Sequence, residues 1–260
     1  MTGALSDYLE NKLIDLTLTG AAYTPPPAVY LALLSALPDD TGAVEVVYTG
    51  YARTVLSFSA ASSRAVAQDA TSAFPLCGGG SDTATHYGIY DASSGGNLLG
   101  YGEFVFSKLI KFGSTPTVLS GEVTLTFVAG KASDYLAEKL LDHAFSATAY
   151  TPPTNTYLAM TLADLTDAST GSTISEPVDT YTRKLTSGWT VTGSSAVNVS
   201  DEIFPIPTAE WGPILAVAVT DALSAGNVLL YDNSPLGDGQ SPENGDTVII
   251  EAGAYTVSID

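Results

Sequence analysis

Two histidines, His86 and His143, and one cysteine, Cys77, are the side chains here best suited to proton transfer, nucleophilic attack or metal ligation. They do not assemble into a recognisable centre. One cysteine and two unrelated histidines fall short of a tetrahedral zinc site, and no serine sits in a nucleophile-elbow pattern. His143 ends a helical pattern, where a satisfied polar residue or a helix C-terminal cation is expected. His86 falls in a predicted strand. No catalytic, metal-binding or cofactor-binding residue is therefore assigned.

Two loops imitate ligand sites. Cys77-Gly78-Gly79-Gly80-Ser81 has the look of a phosphate loop, but it lacks the Gly-Lys-Ser/Thr ending and no helix pattern follows. It reads as a flexible loop. Asp232-Asn233-Ser234-Pro235-Leu236-Gly237-Asp238-Gly239 is rich in oxygen ligands but fails the EF-hand spacing, so a solvated loop is expected rather than a calcium site.

Arg53 and Arg183 are the basic residues that recur in equivalent β contexts, each two positions after a tyrosine. They are expected to be structural, held in an ion pair or a fork of bonds to carbonyls. Asp91 and Asp221 are the expected partners.

The elements that position these residues come in two copies. Ser6 to Asp15 returns as Ser133 to Asp142 with seven of ten identities, and Ala22-Tyr23-Thr24-Pro25-Pro26 returns unchanged as Ala149 to Pro153. The offset is 127 through Tyr30 and Tyr157, becomes 130 at Tyr51-Ala52-Arg53 against Tyr181-Thr182-Arg183, and reads 132 at Gly121 and Gly253. A repeat of this length is a whole domain, not a solenoid unit. Two domains are expected, residues 1–129 and 130–260, with almost no linker.

Each copy opens with a short amphipathic helix. Leu5, Tyr8, Leu9, Leu13 and Leu16 form one stripe, and Asp7 with Glu10 has the spacing of a capping pair. The double proline ends the helix. Short strands follow, predicted at 29–34, 53–60, 65–74, 85–90, 98–106 and 118–127. Ala92 to Asn97 reads as a hairpin turn. The expected class is mainly β: two tandem, similar antiparallel β-sandwich domains, each opened by a helix.

The net charge is −19, with nine Lys plus Arg among 260 residues. A nucleic-acid partner needs a basic face and is excluded on that ground. No signal peptide and no apolar run of membrane-spanning length is visible, so no membrane partner is expected. The copies differ in charge: residues 1–129 hold five basic and eleven acidic groups, net −6, and 130–260 hold four and seventeen, net −13. The contrast peaks between segment 102–114 (Glu103, Lys108, Lys111; net +1) and its counterpart 232–246 (Asp232, Asp238, Glu243, Asp246; net −4). Read as equivalent loops of opposite sign, these six residues other than Glu103 are candidate interface residues for a head-to-tail homo-oligomer.

The order of Ser6 to Asn11, Ala22 to Pro26, Tyr30 to Leu33, Tyr51 to Arg53, Phe74-Pro75, Gly88 to Ala92 and Gly95 to Leu99, with Trp211-Gly212 supplied by the second copy, resembles small bacteriophage virion proteins labelled tail fibre proteins. The resemblance covers nearly the whole chain twice. It implies a non-enzymatic structural protein of the virion, needing no cofactor and binding other phage virion proteins. A tail or baseplate fibre-associated adaptor is the first expectation. A capsid decoration protein is the alternative, since no heptads build a shaft. A third is a host-glycan-binding module using Trp189, Trp211 and the many tyrosines as stacking platforms, with a place in the core as the competing reading of Trp211. Duplication fits a trimer whose six similar domains meet a six-fold platform.

Overall fold

The computed structural model describes residues 3–39, 43–146, 148–233 and 239–259. Its elements in the first repeat are β1 (Ala4–Leu5), α1 (Asp7–Thr19), β2 (Val29–Leu34), β3 (Thr54–Leu56), β4 (Ala65–Ala67), β5 (Ser72–Ala73), β6 (Asp82–Tyr90), β7 (Leu98–Ile110), β8 (Thr117–Val118) and β9 (Thr124–Thr126). The second repeat has α2 (Asp134–Phe145), β10 (Tyr157–Thr161), β11 (Lys184–Leu185), β12 (Trp189–Thr192), β13 (Ser195–Asn198), β14 (Glu202–Ile203), β15 (Ala216–Thr220), β16 (Val228–Asn233), β17 (Ile249–Ile250) and β18 (Thr256–Ser258). The chain is mainly β and antiparallel throughout its ladders, as expected.

In the first repeat the main sheet runs β1-β7-β6-β2-β3. The second repeat builds β16-β15-β10-β11 in the same order, with a single bridge from Ala132 to Leu230 where β1 pairs with β7. Short ladders β4-β9 and β5-β8 make the other layer of the first repeat. Tyr87 of β6 is buried and joins the layers, its hydroxyl donating to Thr124 O at 2.9 Å. Gly100 and Gly102 of β7 leave room for this approach: a Cβ at Gly102 would collide with the Tyr87 ring and one at Gly100 would crowd Leu125. In the second repeat Tyr255 plays the joining part, donating to Val217 O at 2.7 Å.

By contacts the chain forms two compact units. Unit 1 holds residues 1–10, 24–127 and 138–150; unit 2 holds 11–23, 128–137 and 151–260. Most of each helix therefore belongs to the unit built from the other repeat's strands. Within unit 1, Glu138 Oε1 accepts from Ser63 N at 2.8 Å and Asp142 Oδ1 accepts from Ala61 N at 2.6 Å. Ser63 and Arg64 both adopt left-handed φ (52° and 62°) in the turn before β4, a conformation unfavourable for residues bearing a Cβ. The Glu138 carboxylate supports it by satisfying the first amide. The same position of the second repeat is Gly193, whose carbonyl accepts from Asn11 Nδ2 at 3.2 Å within unit 2.

The helix N-caps differ from the expected Asp7–Glu10 pairing. Ser6 Oγ accepts from Leu9 N at 3.3 Å while donating to Leu98 O at 2.5 Å. Ser133 repeats this with Leu136 N at 3.2 Å and Val228 O at 2.5 Å. Both serines are fully buried. A hydroxyl wins this place over a carboxylate because it can donate to the strand carbonyl and accept from the helix amide at once. Ser133→Ala should destabilise the fold by about 1–2 kcal/mol, read as a lower urea midpoint with unchanged slope.

Candidate functional site

Arg53 and Arg183 each sit at the head of a short strand and are nearly buried. Arg183 Nε donates to Glu176 Oε1 at 3.0 Å and its Nη2 to Glu176 Oε2 at 2.8 Å. Nη1 donates to Ala222 O and Ala225 O, both at 2.8 Å, and Nη2 to Gly171 O at 2.6 Å. Arg53 repeats the pattern with Glu45 Oε1 (2.7 Å), Ala92 O (2.9 Å) and Gly95 O (2.7 Å). Each arginine ties an acidic loop to the turn of the β6–β7 or β15–β16 hairpin. The bonds each arginine makes here all lie within the chain.

The partner differs from expectation. Asp91 and Asp221 do not pair with the arginines. Asp91 Oδ1 accepts from Asn97 N at 2.7 Å and its Oδ2 from Asn97 Nδ2 at 2.6 Å, and Asp221 does the same with Asn227. These aspartates close the hairpin turns. Gly96 and Gly226 complete them with φ of 74° and 71°; a Cβ there would strike the aspartate oxygen. With Asp91 and Asp221 consumed, the charge partner comes from Glu45 and Glu176. They lie eight and seven residues before their arginines, in the loop where the repeats change offset. A recurring acid at that distance was the signal available in the chain.

A tyrosine stands beside each pair. Tyr51 OH donates to Glu45 Oε2 at 2.6 Å and accepts from Leu33 N at 3.1 Å. Tyr181 OH accepts from Met160 N at 2.8 Å. Burial and the adjacent glutamate push both phenols far above their ordinary range. They stay protonated hydrogen-bond donors, not acids. The rings stack on Phe74 and Phe204, at 6.3 and 6.2 Å between centroids.

Trp211 meets Tyr181 edge-on at 5.2 Å, where the first repeat uses Tyr48 against Tyr51 at 5.3 Å. Trp211 is 4 % exposed and Trp189 is 8 % exposed, with Nε1 bonded to Thr156 Oγ1. Both are core residues. This overturns the expectation that they form sugar-stacking platforms.

The remaining chemical candidates are also absorbed by the fold. Cys77 is fully buried with Sγ 3.6 Å from the carbonyls of Gly79 and Gly80. Its loop is pinned, since Cys77 N donates to Ser114 O, Gly78 N to Thr49 O, and Thr49 N to Gly79 O. Two of the amides a phosphate would need are spent inside the chain. His143 is buried and its Nδ1 accepts from Tyr150 N at 3.1 Å, so it caps the helix-to-proline turn rather than serving as an exposed terminal cation. His86 Nδ1 lies 2.8 Å from Thr85 Oγ1. Among the described residues no three His, Cys, Asp or Glu side chains gather into a metal-holding group. Most of the oxygen-rich loop 232–239 lies outside the described residues.

The charged candidates separate. Residues 102–110 are strand, not loop. Lys108 pairs with Glu122 at 2.8 Å, and Asp232 lies 3.6 Å from Lys131. Their charges are largely answered at home. Lys111 is exposed on the turn after β7. Glu243 and Asp246 close an exposed turn, Glu243 N donating to Asp246 Oδ2 at 2.8 Å. Asp238 lies outside the described residues.

Asp179 is an unforeseen fastener. Its carboxylate accepts from Thr208 Oγ1, Thr208 N and Ala209 N. These bonds favour the ionised form and hold its carboxyl well below the usual range, first through the Thr208 hydroxyl. The first repeat has Thr49 there, which ties the matching loop by backbone alone.

Two outcomes follow for the purified protein. Arg183→Ala should cost about 3–5 kcal/mol, because it leaves Glu176 without its cation and three carbonyls without their donors, while Asp221→Asn, which keeps the turn's shape, should cost less; denaturant midpoints decide. For Asp179 the folded-state pKa is depressed. Its contribution is complete above the unfolded carboxylate value of about 3.9 and is lost only as pH falls through the lower folded value. Amide exchange at Thr208 and Ala209 should therefore stay slow at mildly acidic pH, and speed up at neutral pH in Asp179→Ala.

The family described as Podophage GP4 fiber I protein gp80 matches residues 4–126 and, a second time, residues 131–258. A search of curated proteins returns no match.

Proposed function

We propose that this chain, which belongs to the podophage GP4 fiber I protein gp80 family, is a fibre-associated or adaptor component of the phage tail or baseplate. The observation that carries the reading is the double match, in which the family matches residues 4–126 and again residues 131–258. We take the duplicated domains to be residues 1–129 and 130–260. The protein works by presenting surfaces to other virion proteins and to its own copies, not by catalysis. The arginines, tyrosines and turn aspartates that recur in both repeats are engaged in bonds within the chain, which leaves the surface as the part free to specialise. A charge of −19 disfavours a nucleic-acid partner. Among the described residues no helix is long and apolar enough to cross a membrane. A trimer would present six similar repeats to a six-fold tail platform.

Decoration of the head shell is the second reading. It is favoured by the compact elements: α1, with 13 residues, is the longer of the two described helices, too short for a coiled-coil shaft.

Purified particles discriminate. Electron microscopy with a label on the chain should place it at the tail, in few copies per particle by gel densitometry. Hundreds of copies over the head would establish decoration instead. Absence from purified particles would sink both.

A further inference from the structure

The long hairpin of the first repeat carries an irregularity that its core does not require. β6 and β7 are paired from Asp82–Ile110 to Ala84–Lys108, and again from His86–Glu103 to Ile89–Gly100. Between these stretches β6 has one residue, Thr85, and β7 has four, Phe104 to Ser107. A bulge of this kind re-aims side chains. Phe104 turns inward against Tyr87, with centroids 5.3 Å apart. Val105 and Phe106 turn outward and are 71 % and 79 % exposed. Farther along, Leu109 and Phe112 are 60 % and 77 % exposed. One exposed apolar residue is ordinary; four large ones in eight residues, two of them aromatic, mark a contact surface.

The second repeat carries a complementary feature. A groove of about 440 Å³ is lined by apolar Met160, Ile214, Pro242, Val248 and Ile249 and by polar Gln240, Ser241, Thr247 and Asp246. Its volume lies within the range of sites that enclose an organic group, enough for an aromatic side chain. Asp246 makes its wall acidic and Glu243 lies on the same turn, whereas Lys111, on the turn after β7, is an exposed cation.

We propose that the Val105–Phe106 crest of one copy enters the Met160–Ile249 groove of a second copy, with Lys111 of the first facing Asp246 and Glu243 of the second. The apolar fill supplies the contact and the charges set its register. Knob and hole lie in different repeats, so the contact is heterologous. Each copy offers one of each, which produces a closed ring or an open filament. Lys108, held by Glu122, supports the hairpin from within. The proposal gives a partner to the surface-driven assembly described above, and purified protein tests it without the particle.

Phe106→Cys and Ile249→Cys chains should be purified separately, then oxidised alone and mixed; the native Cys77 is buried and should not compete. The mixture should give a disulfide-linked dimer that neither chain gives alone. In sedimentation the unmodified protein should associate with rising concentration, Phe106→Ser should abolish this, and Lys111→Glu should weaken it by roughly fivefold, with Asp246→Lys restoring it in the double variant. Circular dichroism checks that each variant is folded. Efficient cross-linking of Phe106→Cys with itself would mean that the crest pairs with its own kind. Either that result or no cross-link in the mixture overturns the proposal, whether or not the chain is found on particles.

Discussion

A guanidinium buried beside its carboxylate holds each repeat in shape. Taking both charges out of water is costly unless every donor is answered. Arg183 meets that condition with Glu176, the carbonyls of a hairpin turn and Gly171 O, and Arg53 answers four of its five N–H groups with Glu45 and the turn carbonyls. The bonds fasten three segments distant in sequence: the acidic loop, the head of the outer strand and the turn of the neighbouring hairpin. The tyrosine two residues earlier extends the tie to the central strand through Leu33 N or Met160 N. Loss of either charge would leave the other stranded, so the loop and the hairpin are coupled.

The repeats reach this common geometry with different neighbours. The Arg53 guanidinium lies 3.5 Å from the centre of the Tyr90 ring, a cation–π contact, whereas Arg183 has Thr220, whose hydroxyl lies 3.5 Å from Nη1. The edge-on ring against the tyrosine comes from Tyr48 in one repeat and, from a different place in the sequence, Trp211 in the other, and the Asp179 side chain stands where the first repeat uses the Thr49 backbone. What persists is the physical requirement, a filled contact or a satisfied donor, and more than one residue type meets it. Surface positions carry no such requirement, and there the repeats diverge in charge.

Much of the framework was legible in the residues. The helix stripe, the double proline, β2 and the Asp–Gly–Asn hairpin turns are local patterns, and all are present in the fold. The first cap was read one residue late because a carboxylate pair looks like a capping box, while the hydroxyl of Ser6 gains its advantage from a strand carbonyl 92 residues away. The arginine partner was misjudged for a similar reason. Asp91 is the prominent acid of its block, but Asn97 occupies both of its oxygens. The two tryptophans looked like exposed platforms because composition says nothing about which side of a layer a ring faces.

By itself the sequence determined the duplication, the β character, the positions of the turns and the acidic balance. Hydrophobic period, turn chemistry and charge count are properties of neighbouring residues or of the whole sum. Only the tertiary structure decided which carboxylate meets which arginine, that Lys108 and Asp232 are answered by Glu122 and Lys131, and that Phe106 points outward from a bulge. An ion pair needs its partners within about 4 Å in space, whatever their separation in the chain. A bulge is a mismatch between two strands, which neither strand encodes alone.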